Sequence, residues 1–336
     1  MANKNNKLPL NLQETDKTTG ELVKLDVNSA STVQPVALMR LGLFVPTLKS
    51  TSRRKTNRQN VTDATEELVQ LSVARSEGYN DVKITGSRLD MDTDFKVWLG
   101  IIRSMSEYGV KNDTLELSFV DFIKMCGFDS RRSNKKMRDR ISNSLFKLAS
   151  VTLKFQSETK GWTTHLVQSA FYDVNEDVVE IKAEPKLFEL YHMDRRVLLR
   201  LKAIDALQRK ESAQALYTYI ESLPLNPAPI SMKRMRDRLN LTSSVYTQNH
   251  TVRKAMEQLR DIGYLDYTEF RRGRATYFSV HYRNPKLISS TVKTPQKDEP
   301  DNAPEQNYDE VIRALKAAGI DPKKLAEALT NMKPEN

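Results

Sequence analysis

One pattern occurs twice along this chain. A helical period leads into a short strand, a short helix, a polar turn, a longer helix and two strands. In the first copy Phe95, Trp98, Leu99, Ile102 and Met105 keep helical spacing after Asp92 and Thr93, and Gly109 stops them. A strand over 115–119, a helix over 120–126 and a turn rich in Gly, Asp and Ser follow. A longer helix then turns Met137, Ile141, Leu145 and Leu148 inward, and strands over 151–156 and 165–172 are expected to pair. In the second copy a helix over 212–223 carries Leu216, Tyr219 and Ile220 and closes at Pro224. Ile230 begins a short segment, Met232, Met235 and Leu239 mark a helix, and 241–244 is the turn. The longer helix places Val252, Met256, Leu259 and Ile262 inward and ends at Gly263. Strands over 264–270 and 275–282 join through Arg271-Arg272-Gly273-Arg274.

The letters agree as well. Leu145-Phe-Lys-Leu-Ala-Ser-Val-Thr-Leu-Lys-Phe155 sits over Leu259-Arg-Asp-Ile-Gly-Tyr-Leu-Asp-Tyr-Thr-Glu-Phe270 once one residue is allowed for. Two copies make a duplication, since a solenoid needs more repeats. A helix-turn-helix with a hairpin behind it is the order of a winged helix. The expected fold is α+β, two tandem winged-helix domains related by duplication.

The remaining sequence flanks or joins these units. Residues 1–33 are polar and expected to be disordered, within an N-terminal arm spanning 1–60. Inside that arm the segment 34–48 is apolar, bracketed by Pro35 and Pro46, and needs a surface to cover, either its own core or a partner subunit. Residues 50–60 read as a basic loop, and Thr62 and Asp63 as the cap of a helix over 64–77, ahead of a short strand at 83–85. The first domain is set at 61–184 and the second at 185–290, with a helical run over 187–206 stiffening their junction. Residues 291–336 read as a Pro-rich linker and a small helical tail.

Charge narrows the function. The 336 residues hold 53 Lys and Arg against 43 Asp and Glu, a net +10. The basic residues cluster, at Arg53–Arg54–Lys55, around 131–138, at Lys233–Arg234 and around 271–274, and grouped positive fields favour a polyanion. No apolar run approaches the roughly 20 residues that span a bilayer, and 1–7 lead into no signal-like apolar stretch. The expected location is the cytoplasm, with no membrane partner. Cys126, the only cysteine, can form neither an internal disulfide nor a cysteine-based zinc site, and beside Met125 and Phe128 reads as a small buried hydrophobe.

Base reading is assigned to the second long helix, whose first turns offer Gln248, Asn249, His250, Thr251, Arg253 and Lys254. Such N-terminal residues enter the major groove in a helix-turn-helix, where Arg and Lys pair with guanine and Asn or Gln with adenine. A solvated helix face would show similar residues. Two neighbouring elements favour the DNA reading. Lys233, Arg234, Arg236 and Arg238 lie on the preceding helix, where they are expected to touch phosphates, with Asp237 among them as an internal partner. Arg271, Arg272 and Arg274 around Gly273 suit a hairpin wing reaching phosphates or a minor groove. In the first copy Arg131, Arg132, Lys135, Lys136 and Arg138 bring charge with few amides, which fits backbone anchoring.

Enzyme chemistry finds no support. G-x-x-x-x-G-K-[ST], G-x-S-x-G and G-x-G-x-x-G are all missing, and His165, His192, His250 and His281 form no metal pair. Asp90, Asp92 and Asp94 lack the glycine and distal glutamate of a calcium loop and sit where a helix start favours carboxylates. No catalytic residue, metal or cofactor is assigned.

Longer stretches carry a family resemblance. They are Thr32-Val-Gln-Pro-Val-Ala-Leu-Met-Arg-Leu-Gly, Ile84-Thr-Gly-Ser-Arg-Leu-Asp-Met-Asp, His165-Leu-Val-Gln-Ser-Ala, Glu211-Ser-Ala-Gln-Ala-Leu-Tyr-Thr-Tyr-Ile-Glu-Ser-Leu-Pro and Val252-Arg-Lys-Ala-Met-Glu-Gln-Leu-Arg-Asp-Ile-Gly-Tyr-Leu-Asp-Tyr. Over residues 20–285 the chain resembles the RepFIB-type plasmid replication initiators, within the iteron-binding Rep proteins. The resemblance implies two winged-helix domains. The C-terminal one makes most base contacts on directly repeated origin sites, and the N-terminal one adds DNA contacts or a dimer interface. It also implies opening of an adjacent A·T-rich segment and recruitment of the host replication initiator and helicase. Autoregulation and control of plasmid copy number complete the expectation, and a plain winged-helix repressor is the alternative. The apolar segment 36–45 and the strand at 115–119 are expected to form a homodimer in equilibrium with an iteron-bound monomer.

Overall fold

A computed structural model describes residues 30–47 and 79–284, apart from 130, 132–133, 174, 186, 188–189 and 192–195, together with residue 27 and the short strands at 12–15, 22–25 and 61–63. Contacts divide the chain into Met1–Ser290 and Thr291–Asn336, and every described residue lies in the first unit. The loop at 50–60, the helix over 64–77, the linker with its helical tail, Arg132 and His192 lie outside the described residues.

Parts of the polar N-terminal segment form strands. β1 (Leu12–Thr15) and β2 (Leu22–Leu25) pair antiparallel, and β3 (Ser31–Pro35) is wholly buried. Then come α1 (Val36–Arg40), β4 (Phe44–Val45), β5 (Val61–Asp63), β6 (Asp81–Thr85) and β7 (Leu89–Asp90). Thr62 and Asp63 therefore pair with Ile84 and Lys83 in a sheet and do not start a helix. The apolar segment covers its own core. Leu38 is fully buried, Phe44 and Val45 nearly so, and β4 runs parallel to β7. The expected dimer surface at 36–45 is thus used inside the chain.

α2 (Asp94–Tyr108) buries Phe95, Val97, Trp98, Leu99, Ile101, Ile102 and Met105. The Asp90 carboxylate caps it, accepting the backbone N–H of Thr93 at 2.6 Å and of Asp94 at 3.2 Å. Lys147 bonds Asp94 at 2.8 Å and Asp90 at 3.2 Å, and Arg140 pairs with Asp92, so the three acids tie this helix to its neighbour. Next are β8 (Thr114–Ser118), α3 (Phe119–Met125) and α4 (Lys135–Ser150), followed by β9 (Thr152–Gln156) and β10 (Gly161–His165). Ser118 and Asn134 cap the two helices through their side chains. Cys126 packs against α2 so closely that a Cβ on Gly100 would lie 2.3 Å from its sulfur, and burial pushes its thiol pKa well up.

The pairing of 151–156 with 165–172 is corrected. β9 lies between β10 and β6 in the order β10-β9-β6-β5, whereas β11 (Val167–Asp173) pairs with β12 (Val178–Ala183). β12 in turn pairs with β8, burying Leu115 and Leu117 opposite Ile181 and Val179, so this strand's apolar face is also internal. The helix expected over 187–206 is a strand in its middle. In β13 (Arg196–Arg200) Val197 and Leu199 alternate inward and the backbone pairs with β3, and only α5 (Leu201–Ala206) is helical beyond it.

α6 (Glu211–Ser222) is buried almost all round, packed among α1, β4, β13 and the helices that follow. Those are α7 (Met232–Leu239), begun by the short β14 (Ile230–Ser231), and α8 (Val245–Asp261); β15 (Leu265–Arg272) and β16 (Ala275–Arg283) close the described fold. Arg40 and Arg283 donate to the carbonyls of Ser222, Ile220 and Pro224 at the end of α6. One continuous core runs from Val33 to Val280 in this mixed α/β structure. The helix–strand–helix–helix–hairpin order occurs twice, but the pairing differs. β14 joins its own hairpin through β16, whereas β8 joins β12.

Candidate nucleic-acid interface

The unit formed by α7, α8 and the β15–β16 hairpin is assembled by local signals. Ser231 caps α7 by accepting the Arg234 N–H, and Asn240 ends it in the left-handed region at φ 45°. Ser244 caps α8 in the same way through Thr247. Gly273, at φ 61°, makes the hairpin turn with nothing around its missing Cβ. Val252, Ala255, Met256 and Leu259 bury one face of α8, which leaves its first turns outward.

Those turns are not uniformly available. Gln248 folds back, donating to the carbonyls of Leu241 and Ser243 at 3.0 and 2.7 Å, and so braces the turn. Thr251 donates to the Thr247 carbonyl at 3.0 Å. Asn249 is half-buried, with its Oδ1 buried and unpartnered among the described residues. His250 and Lys254 are exposed. Arg253 is exposed but oriented, because its Nε and Nη2 meet the Glu269 carboxylate of β15 at 3.0 and 2.7 Å. That carboxylate holds the Arg253 pKa above its ordinary value, and the bonds to it use Nε and Nη2. The contact also holds the Arg253 side of α8 against the hairpin whose tip exposes Arg271, Arg272 and Arg274.

The other cations divide into outward and inward sets. Lys233 pairs with Asp237 at 2.9 Å on the surface, and Arg234 lies over the Tyr219 ring at 5.5 Å. Arg238, expected at phosphates, is only 5% exposed. Its guanidinium donates to the carbonyls of Met39 and Phe44 and to Thr218, because α1 and β4 pack over this side of α7. In the first half Arg131 is open to solvent beside Asp129, Lys135 and Lys136 are exposed, and Arg138 lies over the Phe119 ring. No acid sits in the first turn of α4, where the helix dipole disfavours cations, so local stability does not explain that cluster.

Two features escaped the sequence reading. Glu269 is one; its partnership with Arg253 spans 16 residues and needs the hairpin register. The pair Val245 and Tyr246 is the other, 58% and 86% exposed at the start of α8. The inward stripe Val252–Met256–Leu259 was the available signal, since it leaves Tyr246 on the opposite side.

Similar proteins are known. The family described as Initiator Replication protein, WH1, matches residues 81–221, from β6 into α6. The RepFIB replication protein A of Escherichia coli (strain K12) is 55% identical over 304 residues, covering 89% of this chain and 94% of that protein. One from Salmonella typhi is 59% identical over 276 residues, covering 81% and 85%. Among solved structures, domains 2 and 3 of RctB align at a TM-score of 0.46 with 12% identity, over 74% of this chain and 98% of that one.

Proposed function

Because the chain belongs to the RepFIB replication protein A family, we propose that it initiates plasmid replication by binding directly repeated sites, iterons, on double-stranded DNA. The carrying observation is the Arg253–Glu269 contact, which holds the middle of α8 against the strand that leads to the exposed arginines of the hairpin tip. A major groove admits a helix, and its flanking phosphates suit the hairpin arginines. In this reading the two halves act as tandem winged helices related by duplication. The half over 185–290 reads bases, and that over 61–184 contacts the backbone. Binding opens an adjacent A·T-rich segment and brings in the host initiator and helicase, in the cytoplasm, with autoregulation and copy-number control as consequences. A homodimer in equilibrium with monomer remains part of the reading, through a surface other than the buried segment 36–45. β8 is the last strand of its sheet and offers a backbone edge.

The test is duplex binding. Arg253→Ala or Lys254→Ala is expected to lose about 1–3 kcal/mol on direct-repeat DNA and little on scrambled duplex, read by fluorescence anisotropy. Glu269→Gln should reproduce part of the Arg253 loss by freeing the guanidinium. Equal losses on both DNAs would move Arg253 and Lys254 to phosphates. A winged-helix repressor without an initiator role is the rival, and direct repeats beside an A·T-rich stretch next to the gene distinguish the two.

The same reading assigns the protein no chemistry of its own. Supercoiled origin plasmid incubated with the protein and Mg²⁺ is expected to stay supercoiled, and relaxation on an agarose gel would overturn that assignment.

A further inference from the structure

α8 carries an aromatic ring where its packing has no use for one. Its core side is complete with Val252, Ala255, Met256 and Leu259, yet Tyr246 is 86% exposed, the most open of the large apolar side chains described, with Val245 beside it at 58%. Tyr246 shares a helix side with His250 and Arg253. Lys254 on the same helix and Arg271, Arg272 and Arg274 at the tip of the hairpin that holds Glu269 are exposed cations as well.

The ligand that suits exposed apolar groups on a helix that also exposes cations has anionic walls and an apolar floor. Duplex DNA at A·T pairs has this form, with phosphates on either side of the major groove and the thymine 5-methyl as the apolar group within it. A protein surface would instead ask for a contiguous apolar patch of several hundred Å², typically about 300–600, wider than these two side chains provide. We propose that Val245 and Tyr246 are specificity determinants that contact thymine 5-methyl groups in the major groove of the repeats. The proposal rests on the DNA-binding reading above.

Uracil in place of thymine removes the methyl and nothing else, so it isolates this contact. For the full chain, deoxyuridine at one or two positions of the repeat is expected to weaken binding by about fourfold each, the equivalent of one buried methylene. Tyr246→Ser and Val245→Ala should bind the thymine repeat less tightly and no longer distinguish it from the uracil repeat. Their melting temperatures and their salt dependence should stay those of the parent, since neither side chain belongs to the core. Parent protein that prefers repeats to scrambled duplex yet binds every uracil-substituted repeat equally well would overturn the proposal and leave the DNA-binding reading intact. Variants that keep the full thymine preference would also overturn it, and would assign the exposed ring to another partner. No preference for repeats at all would remove the reading itself, and this proposal with it.

Discussion

Between about 50 and 200 mM salt, affinity for repeat DNA is expected to fall by about 10³–10⁵-fold, the loss that accompanies roughly 6–10 phosphate contacts. The exposed cations that would make them are Arg131, Lys135 and Lys136 on one half and Lys254, Arg271, Arg272 and Arg274 on the other. Each neutralised phosphate releases condensed counterions, so the slope of affinity against salt counts contacts. Replacing Arg131, Arg132, Lys135 and Lys136 together by Ala should reduce that slope by about one per cation while the preference for repeats survives. The Arg131–Asp129 pair does not prevent this, because exposed ion pairs are worth little and Arg131 is free to exchange partners. An unchanged slope would mean that the first half does not touch DNA.

Arg238→Met is expected to destabilise the fold by about 2–4 kcal/mol, because it leaves the buried carbonyls of Met39 and Phe44 without their donor. For a unit of this size that lowers the melting temperature by roughly 3–7 °C. Methionine keeps the apolar stem, so the loss reports the guanidinium and its three partners more than packing. The salt slope of the refolded protein should not change. An unaltered melt combined with a shallower slope would return Arg238 to the DNA surface, alongside Lys233 and Arg234.

Basic clusters on this chain differ in which way they face, and composition alone does not separate them. Arg234 and Arg238 lie one turn apart in a single basic run, and the sequence reading placed both at phosphates. Arg238 turns inward because α1 and β4, about 200 positions earlier in the chain, pack over α7. Contacts this distant leave no local pattern. The same holds for Glu269, which meets Arg253 only once the hairpin is folded against α8, and for β13, whose alternating Val197 and Leu199 are hard to tell from a helix until β3 supplies the backbone partner.

Short-range physics was legible from the letters alone. The helices α2, α4, α6, α7 and α8 follow apolar periods of three and four, and Gly109, Gly263 and Gly273 stand at positive φ where the sequence placed stops and a turn. The basic hairpin tip and the outward start of α8 were legible for the same reason, since a helical period declares its exposed side as surely as its buried one. Tertiary structure decided the rest: which strands pair, that the apolar segment at 36–45 covers the chain's own core, and which cations face outward. Each of those depends on surfaces brought together from far apart in sequence, and a buried hydrogen-bond acceptor or an unpaired strand edge acquires its partner only at that stage.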